Sequence, residues 1–125
     1  MNVIKLESSE DTPKIVLDAA NNEFEISGRS IPEDSAAFYK PILEWIDSYS
    51  SKPNPKTNFV FNLEYFNTSS SKLILDILTK LESLHQRGND MVITWCYRED
   101  DEDMQDAGEE YAELVQIPFE LKVTT

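Results

Sequence analysis

The stretch "TNFVFNLEYFNTSSSKLILDILTKLESLHQRGNDMVITWCY", residues 57–97, decides the fold of this 125-residue chain. It begins with apolar residues at every second position, as in a strand with one buried face. Apolar residues at helical spacing follow from about Ser69 to Arg87, and Gly88 can adopt the left-handed conformation that ends a helix. The stretch closes with an apolar run, Met91–Tyr97, typical of a strand covered on both faces. This order predicts a parallel strand–helix–strand unit with a right-handed crossover.

Alternating or helical apolar patterns also occur on both sides of this unit. Further strands are predicted at Lys14–Asp18 and Glu23–Gly28, which form a hairpin, and at Pro118–Thr124. A first helix lies within residues 30–50. Because an internal proline removes a hydrogen bond, we expect either a kink or a loose first turn, with the regular helix starting near Pro41. The residues expected to face the core are Phe38, Ile42, Trp45, Ile46 and Tyr49 in this helix, Phe59, Phe61, Leu63 and Tyr65 in the strand 57–66, and Met104, Ala107, Gly108, Tyr111, Ala112 and Val115 in a third helix, where Gly108 allows close packing.

The element order is therefore β-β-α-β-α-β-α-β. It predicts one α/β domain over residues 1–125, with a mixed, mostly parallel sheet of about five strands. Residues 1–12 are expected to form a loose N-terminal segment.

The net charge of −13 argues against binding to nucleic acid or anionic membranes. Residues Glu99–Glu113 contain nine of the 24 acidic residues and no basic one, which is typical of a solvated surface. A decoy that mimics nucleic acid through this segment stays as a minor alternative. One cysteine, Cys96, and one histidine, His85, predict neither an internal disulfide nor a zinc site. No apolar run reaches about 20 residues and no signal peptide is apparent, so we expect a cytoplasmic protein.

A run of polar residues, Asn67 to Ser71, marks the junction between the strand 57–66 and the next helix. Such residues cap helix N-termini, each contributing about 1 kcal/mol. One or two of them would suffice for a cap. A helix N-terminus also stabilises a phosphate, and Lys72 adds a cation one turn after Thr68. The cluster is therefore either a cap or a phosphorylation site, or both.

A catalytic hydroxyl is the competing interpretation. A serine or threonine nucleophile needs a base, and His85 lies about 25 Å from the cluster along the same helix. A small hydrolase that pairs one of the hydroxyls with Glu64 stays open.

The segment "YFNTSSSKLILDILTKLESLHQRG" followed by "MVITWCY" resembles the SiaC family of regulatory phosphoproteins. "SIPEDS" before the first helix and "DAGEEYAELVQIPFEL" near the C-terminus fit the same pattern, so the resemblance runs from about Phe24 to Leu121. The layout is more distantly similar to anti-anti-sigma factors with the STAS fold, in which the first serine of an Asp-Ser-Ser-Gly element is phosphorylated. The resemblance implies a STAS-like fold.

The resemblance also implies a non-enzymatic switch that needs no cofactor and no metal. In the family, a kinase of the histidine-kinase-like ATPase type phosphorylates the threonine of the Asn-Thr-Ser-Ser element, and a PP2C-type phosphatase removes the phosphate. The unmodified form binds and activates a diguanylate cyclase, which promotes biofilm formation through cyclic di-GMP. Carried over to this chain, the phosphoacceptor is Thr68. Its local frame and partner-binding face are Asn67, Ser69, Ser70, Ser71 and Lys72.

Overall fold

The computed structural model describes residues 2–124, which form one α/β domain of six strands and three helices, as predicted apart from one additional strand. No helix in this part of the chain is both long and apolar enough to cross a membrane. The strands are β1 (Ile4–Leu6), β2 (Lys14–Asp18), β3 (Glu23–Ser30), β4 (Lys56–Phe66), β5 (Asp90–Arg98) and β6 (Phe119–Thr124); the helices are α1 (Ser35–Tyr49), α2 (Thr68–Gln86) and α3 (Glu102–Leu114).

The sheet follows the chain in the order β1-β2-β3-β4-β5-β6. The first two pairings are antiparallel and the last three are parallel, which confirms the mixed, mostly parallel sheet. Because every crossover steps to the next strand in the same direction, right-handed connections place all three helices on one face. Ile26, Phe61 and Trp95 are register neighbours on that face and join the buried helix residues in a single core.

Within residues 2–124 the second face of the sheet carries no helix, so β5 does not have helices on both faces, which is the usual cause of such an apolar run. Thr94 and Cys96 point to this face and are still buried, because β5 lies between β4 and β6. The Thr94 hydroxyl donates a 2.8 Å hydrogen bond to Asn58 Oδ1 on β4. Burial raises the pKa of the Cys96 thiol, as expected for an inert cysteine.

The N-terminal segment differs from the expected loose segment, because Ile4–Leu6 pairs antiparallel with β2. Ile4 packs against the core, and the Trp45 indole N–H donates to the Asn2 carbonyl. A three-residue edge strand has too few residues for a recognisable pattern, and its pairing with β2 is what defines it. Met1 lies outside the described residues.

Helix α1 starts at Ser35, six residues before Pro41, so the prediction of a start near Pro41 is wrong. Asp34 caps the helix by accepting a 3.1 Å hydrogen bond from the Ala37 N–H, and this fixes the first turn ahead of the exposed proline. Tyr39 is fully buried, whereas Phe38 is half-buried and packs at the margin of the core.

Two glycines behave as the sequence predicts. Gly88 has φ +96° directly after the C-cap of α2, the left-handed conformation that ends helices. Gly108 allows α3 to approach the sheet closely, because a Cβ atom there would lie 2.5 Å from the Trp95 ring.

A β-bulge interrupts the alternation at the end of β4. Leu63 pairs with Gly28 and Tyr65 with the next residue, Arg29, so that Glu64 is the extra residue of the bulge. The shift turns half-buried Phe66 toward the core, where its ring packs edge-on against Trp95 at a centroid distance of 6.1 Å. Tyr65 is 51% exposed, so its predicted place in the core is wrong.

Candidate functional site at the start of helix α2

The three helices all begin at the edge of the sheet where β3, β4 and β5 end. Each has an Asp or Asn cap whose side chain accepts the backbone N–H three residues later. Asp34 does this for α1, Asn67 for α2 and Asp101 for α3. Because Asn67 is the cap of α2, Thr68 is the first residue of the helix and its hydroxyl is not used for capping.

The four hydroxyls that follow Asn67 lie in different surroundings. Thr68 and Ser69 are exposed, Ser71 is half-buried and Ser70 is fully buried. The Ser71 hydroxyl donates a 2.6 Å hydrogen bond to the Thr68 carbonyl. The Ser69 hydroxyl donates to Asn67 Oδ1 at 3.1 Å. Within residues 2–124 the Thr68 hydroxyl has no hydrogen-bond partner, so of the four it alone is both exposed and unengaged.

Ser70 belongs to a buried network of hydroxyl groups that joins β3, α1 and α2. Its hydroxyl donates to the Ser30 carbonyl at 3.0 Å and accepts from the Ser30 hydroxyl at 2.9 Å. The Ser30 hydroxyl oxygen lies 2.6 Å from the phenol oxygen of Tyr39. Burial raises the pKa of Tyr39 to about 12, so the phenol stays protonated and donates. Ser70 therefore offers no exposed hydroxyl to the predicted partner-binding face, because it is fully buried.

Ser35, at the start of α1, connects this network to the surface. Its hydroxyl lies 2.7 Å from that of Ser69 and 3.5 Å from that of Ser70. The N-termini of α1 and α2 therefore meet, and the positive ends of two helix dipoles lie close to Thr68. Ser35 belongs to the "SIPEDS" motif, but nothing in the sequence indicated that it would contact a residue 34 positions away.

The first turn of α2 contains no acidic residue, and exposed Lys72 lies in the following turn. Unpaired helix N–H groups, the helix dipole and a nearby ammonium group all favour an added phosphate at Thr68. The site can therefore accept a dianion despite the net charge of −13.

The hydrogen bonds of the cluster do not supply the base that a nucleophilic hydroxyl needs. Ser69, Ser70 and Ser71 bond to other hydroxyls, to an amide oxygen or to backbone carbonyls. Glu64 is exposed at the bulge of β4 and is not among their partners. His85, near the far end of α2, has its Nδ1 3.3 Å from the Asn89 carbonyl.

Over residues 2–124 no three Asp, Glu, His or Cys side chains are placed to hold a metal ion.

A second buried tyrosine, Tyr111 of α3, contacts the start of α2. Its phenol donates a 2.8 Å hydrogen bond to the Ser71 carbonyl, and burial raises the pKa of Tyr111. Tyr111 thus ties the start of α2 to α3. The sequence identified it as a core residue and did not reveal this bond.

Comparison with solved structures shows that this fold is similar to that of SiaC of Pseudomonas aeruginosa. The apo-SiaC crystal structure has a TM-score of 0.89 at 28% identity and covers 98% of this chain and 100% of its own. SiaC in complex with the diguanylate cyclase SiaD, of which SiaC is described as the activator, has a TM-score of 0.91 at 27% identity and covers 97% of this chain and 99% of its own.

Sequence comparisons agree with the structural ones. An uncharacterized protein of P. aeruginosa strain UCBPP-PA14 is 28% identical over 122 residues, covering 98% of this chain and 97% of the relative. The model of the SiaC family of regulatory phosphoproteins matches residues 6–124. The expected resemblance is thereby confirmed: this chain belongs to the SiaC family of regulatory phosphoproteins.

Proposed function

We propose that this chain is a non-enzymatic switch in a cytoplasmic signalling pathway and that phosphorylation of Thr68 sets its state. A Ser/Thr kinase of the histidine-kinase-like ATPase type adds the phosphate, and a PP2C-type phosphatase removes it. The unphosphorylated form binds and activates a diguanylate cyclase, as the activator SiaC does with SiaD. The output is cyclic di-GMP and, through it, biofilm formation.

The observation that carries this proposal is the free hydroxyl of Thr68 at the first position of α2. A kinase supplies ATP, Mg²⁺ and its own catalytic base, so the substrate only has to present an accessible hydroxyl. Thr68 meets that requirement, whereas Ser70 is fully buried and Ser69 and Ser71 are engaged in hydrogen bonds.

The same position explains how a phosphate would control binding. A partner that docks on the start of α2 covers Thr68 and removes it from water. A phosphate adds about −1.5 to −2 charges at that point. Burying those charges without a matching cation is costly, and a loss of about 3 kcal/mol lowers affinity more than a hundredfold.

The first test locates the phosphate. The chain is incubated with its cognate kinase and Mg-ATP, and the modified residue is identified by mass spectrometry. We expect one phosphate on Thr68, none on the Thr68→Ala variant and unchanged labelling of Ser69→Ala. Phosphate on Ser69 or Ser71 that persists in Thr68→Ala would contradict the proposal.

The second test measures partner binding. We expect Thr68→Ala to bind the diguanylate cyclase as the wild type does, and phosphorylated protein or Thr68→Asp to bind it at least tenfold more weakly by calorimetric titration. Thr79→Asp, at an exposed position on the fourth turn of α2, serves as a control for the change in charge. Equal affinities of Thr68→Ala and the phosphorylated protein would refute the switch.

A further inference from the structure

A small groove lies between the bulged end of β4 and the first two turns of α3. Its volume is about 170 Å³. Phe66, Met104 and Ala107 provide apolar lining, and all three are buried or half-buried. The acidic residues Glu64, Asp101 and Asp103 also line it, and exposed Tyr65 forms part of its wall.

The size and the chemistry of the groove limit what it can hold. Pockets for small molecules usually have about 300–1,000 Å³, so this groove fits a single side chain better than a cofactor. A metal ion is not a suitable occupant, because no three acidic side chains of the described residues converge closely enough to bind one. An apolar stem with a cationic end would match both parts of the lining.

The three carboxylates are not neutralised by the protein itself. Across residues 2–124, Lys and Arg form ion pairs only with Asp18, Glu25 and Asp47, none of which lines the groove. Arg98 lines the adjoining cavity together with Glu64 and Asp101 but makes no ion pair with them. The groove therefore keeps its negative charge and is complementary to a cation.

We propose that this groove receives an arginine side chain of a partner protein. The aliphatic part of the arginine lies along Phe66, Met104 and Ala107, and its guanidinium donates hydrogen bonds to Glu64 and Asp103. Arginine suits separated carboxylates better than lysine, because its planar group offers five donors in fixed directions. Asp101 contributes charge, while its Oδ1 already accepts the Met104 N–H at 3.0 Å.

Two features of β4 favour a docking surface at this groove. The bulge turns Tyr65 out of the core, and bulges commonly re-aim side chains next to functional sites. Phe66 lines the groove, and Asn67 and Thr68 follow it directly in the chain, so the groove and the proposed phosphorylation site lie at the same edge of the sheet. The inference rests on the proposed function only in assigning the arginine to a regulatory partner.

The test uses a capped tripeptide, acetyl-Gly-Arg-Gly-amide, and its citrulline counterpart, which has nearly the same shape and no charge. Each peptide is titrated into the ¹⁵N-labelled chain at low salt and followed by NMR. We expect the arginine peptide to shift the amide signals of Tyr65, Asp103 and Ala107 in a saturable manner. The citrulline peptide should bind at least fivefold more weakly.

Paired variants separate the groove from the general negative charge of the protein. Glu64→Gln/Asp103→Asn should weaken binding of the arginine peptide at least fivefold. Glu109→Gln/Glu113→Gln removes the same charge from exposed positions of α3 outside the groove and should change affinity less than twofold. Equal weakening by both pairs, equal binding of both peptides, or signal shifts elsewhere would overturn the proposal. Thr68 takes no part in this experiment, so its outcome is separate from that of the phosphorylation test.

Discussion

Helices α2 and α3 start in the same way and differ in what their first turns carry. Each follows one of two neighbouring parallel strands, and each is capped by an Asp or Asn side chain. The cap accepts the N–H of the third helical residue, and that residue points into the protein. In α2 it is Ser70, held by hydrogen bonds, whereas in α3 it is Met104, held by apolar packing.

The exposed positions of the two first turns differ in charge. Helix α3 has two acidic residues there, Glu102 and Asp103. Helix α2 has Thr68 and Ser69, which are neutral. A phosphate on Thr68 would give the first turn of α2 an acidic group, as Glu102 and Asp103 do in α3. Only the helix that lacks this charge can be switched by adding it.

The largest expected effect comes from removing the apolar anchor of α3. Met104→Ala should lower the free energy of unfolding by about 3 kcal/mol, because a buried side chain is replaced by a cavity. Urea denaturation followed by circular dichroism measures this value. Asp106→Ala, an exposed position of the same helix, should change it by less than about 0.5 kcal/mol. Similar losses in both variants would mean that packing at Met104 does not hold the first turn.

The corresponding substitution at the third residue of α2 should lower the free energy of unfolding by a smaller amount. Ser70→Ala removes the acceptor of the Ser30 hydroxyl inside the core, and an unsatisfied buried group costs about 1–3 kcal/mol. We expect a loss of about 2 kcal/mol in the same urea experiment. Thr79→Ala removes an exposed hydroxyl of α2 and serves as the matched control. If Ser70→Ala were as stable as the control, the buried network would not fix the start of α2.

The sequence was sufficient to predict features that depend on local order. The alternation in β4, the glycine after α2 and the succession of strands and helices are properties of neighbouring residues, and they predicted the α/β domain. The bulge at Glu64 could not be predicted, because it arises from the pairing of β4 with β3. For the same reason the expectation that Tyr65 faces the core was wrong.

The position of the candidate site was predictable from the sequence. Which of its hydroxyl groups are buried and which are exposed was not. The run from Asn67 to Ser71 marked the helix start, and the resemblance pointed to Thr68. Which hydroxyl is buried depends on Ser30, Ser35 and Tyr39, which lie roughly 30–40 residues upstream and reach the cluster only through the fold. Contacts of that separation leave no periodic signal in a single sequence.

A smaller effect is expected when the cap of α2 is removed. Asn67→Ala should destabilise the protein by about 1 kcal/mol, because the Ser70 N–H loses its acceptor. Asn67→Asp keeps a capping oxygen and should be at least as stable as the wild type. Amide hydrogen exchange of the first turn of α2 should become faster in Asn67→Ala only. Unchanged exchange in that variant would show that Asn67 is dispensable as a cap.

The prediction with the smallest expected effect concerns a negative charge at the start of α2. It tests whether the first turn of α2 accepts an acidic residue, as the first turn of α3 does. Thr68→Asp should raise the free energy of unfolding by about 0.5 kcal/mol, because a carboxylate is stabilised at a helix N-terminus. The folded state lowers the pKa of this carboxyl, so the gain is present above pH 4 or so and is lost as the pH falls below about 3.9. Thr79→Asp introduces the same charge in the middle of α2, where no gain is expected. Thermal unfolding at pH 7 in low salt measures the difference, and 1 M NaCl should abolish it through screening. If Thr68→Asp were less stable than the wild type, the start of α2 would not favour a negative charge. A phosphate on Thr68 would then have to be stabilised by contacts with the kinase or the phosphatase.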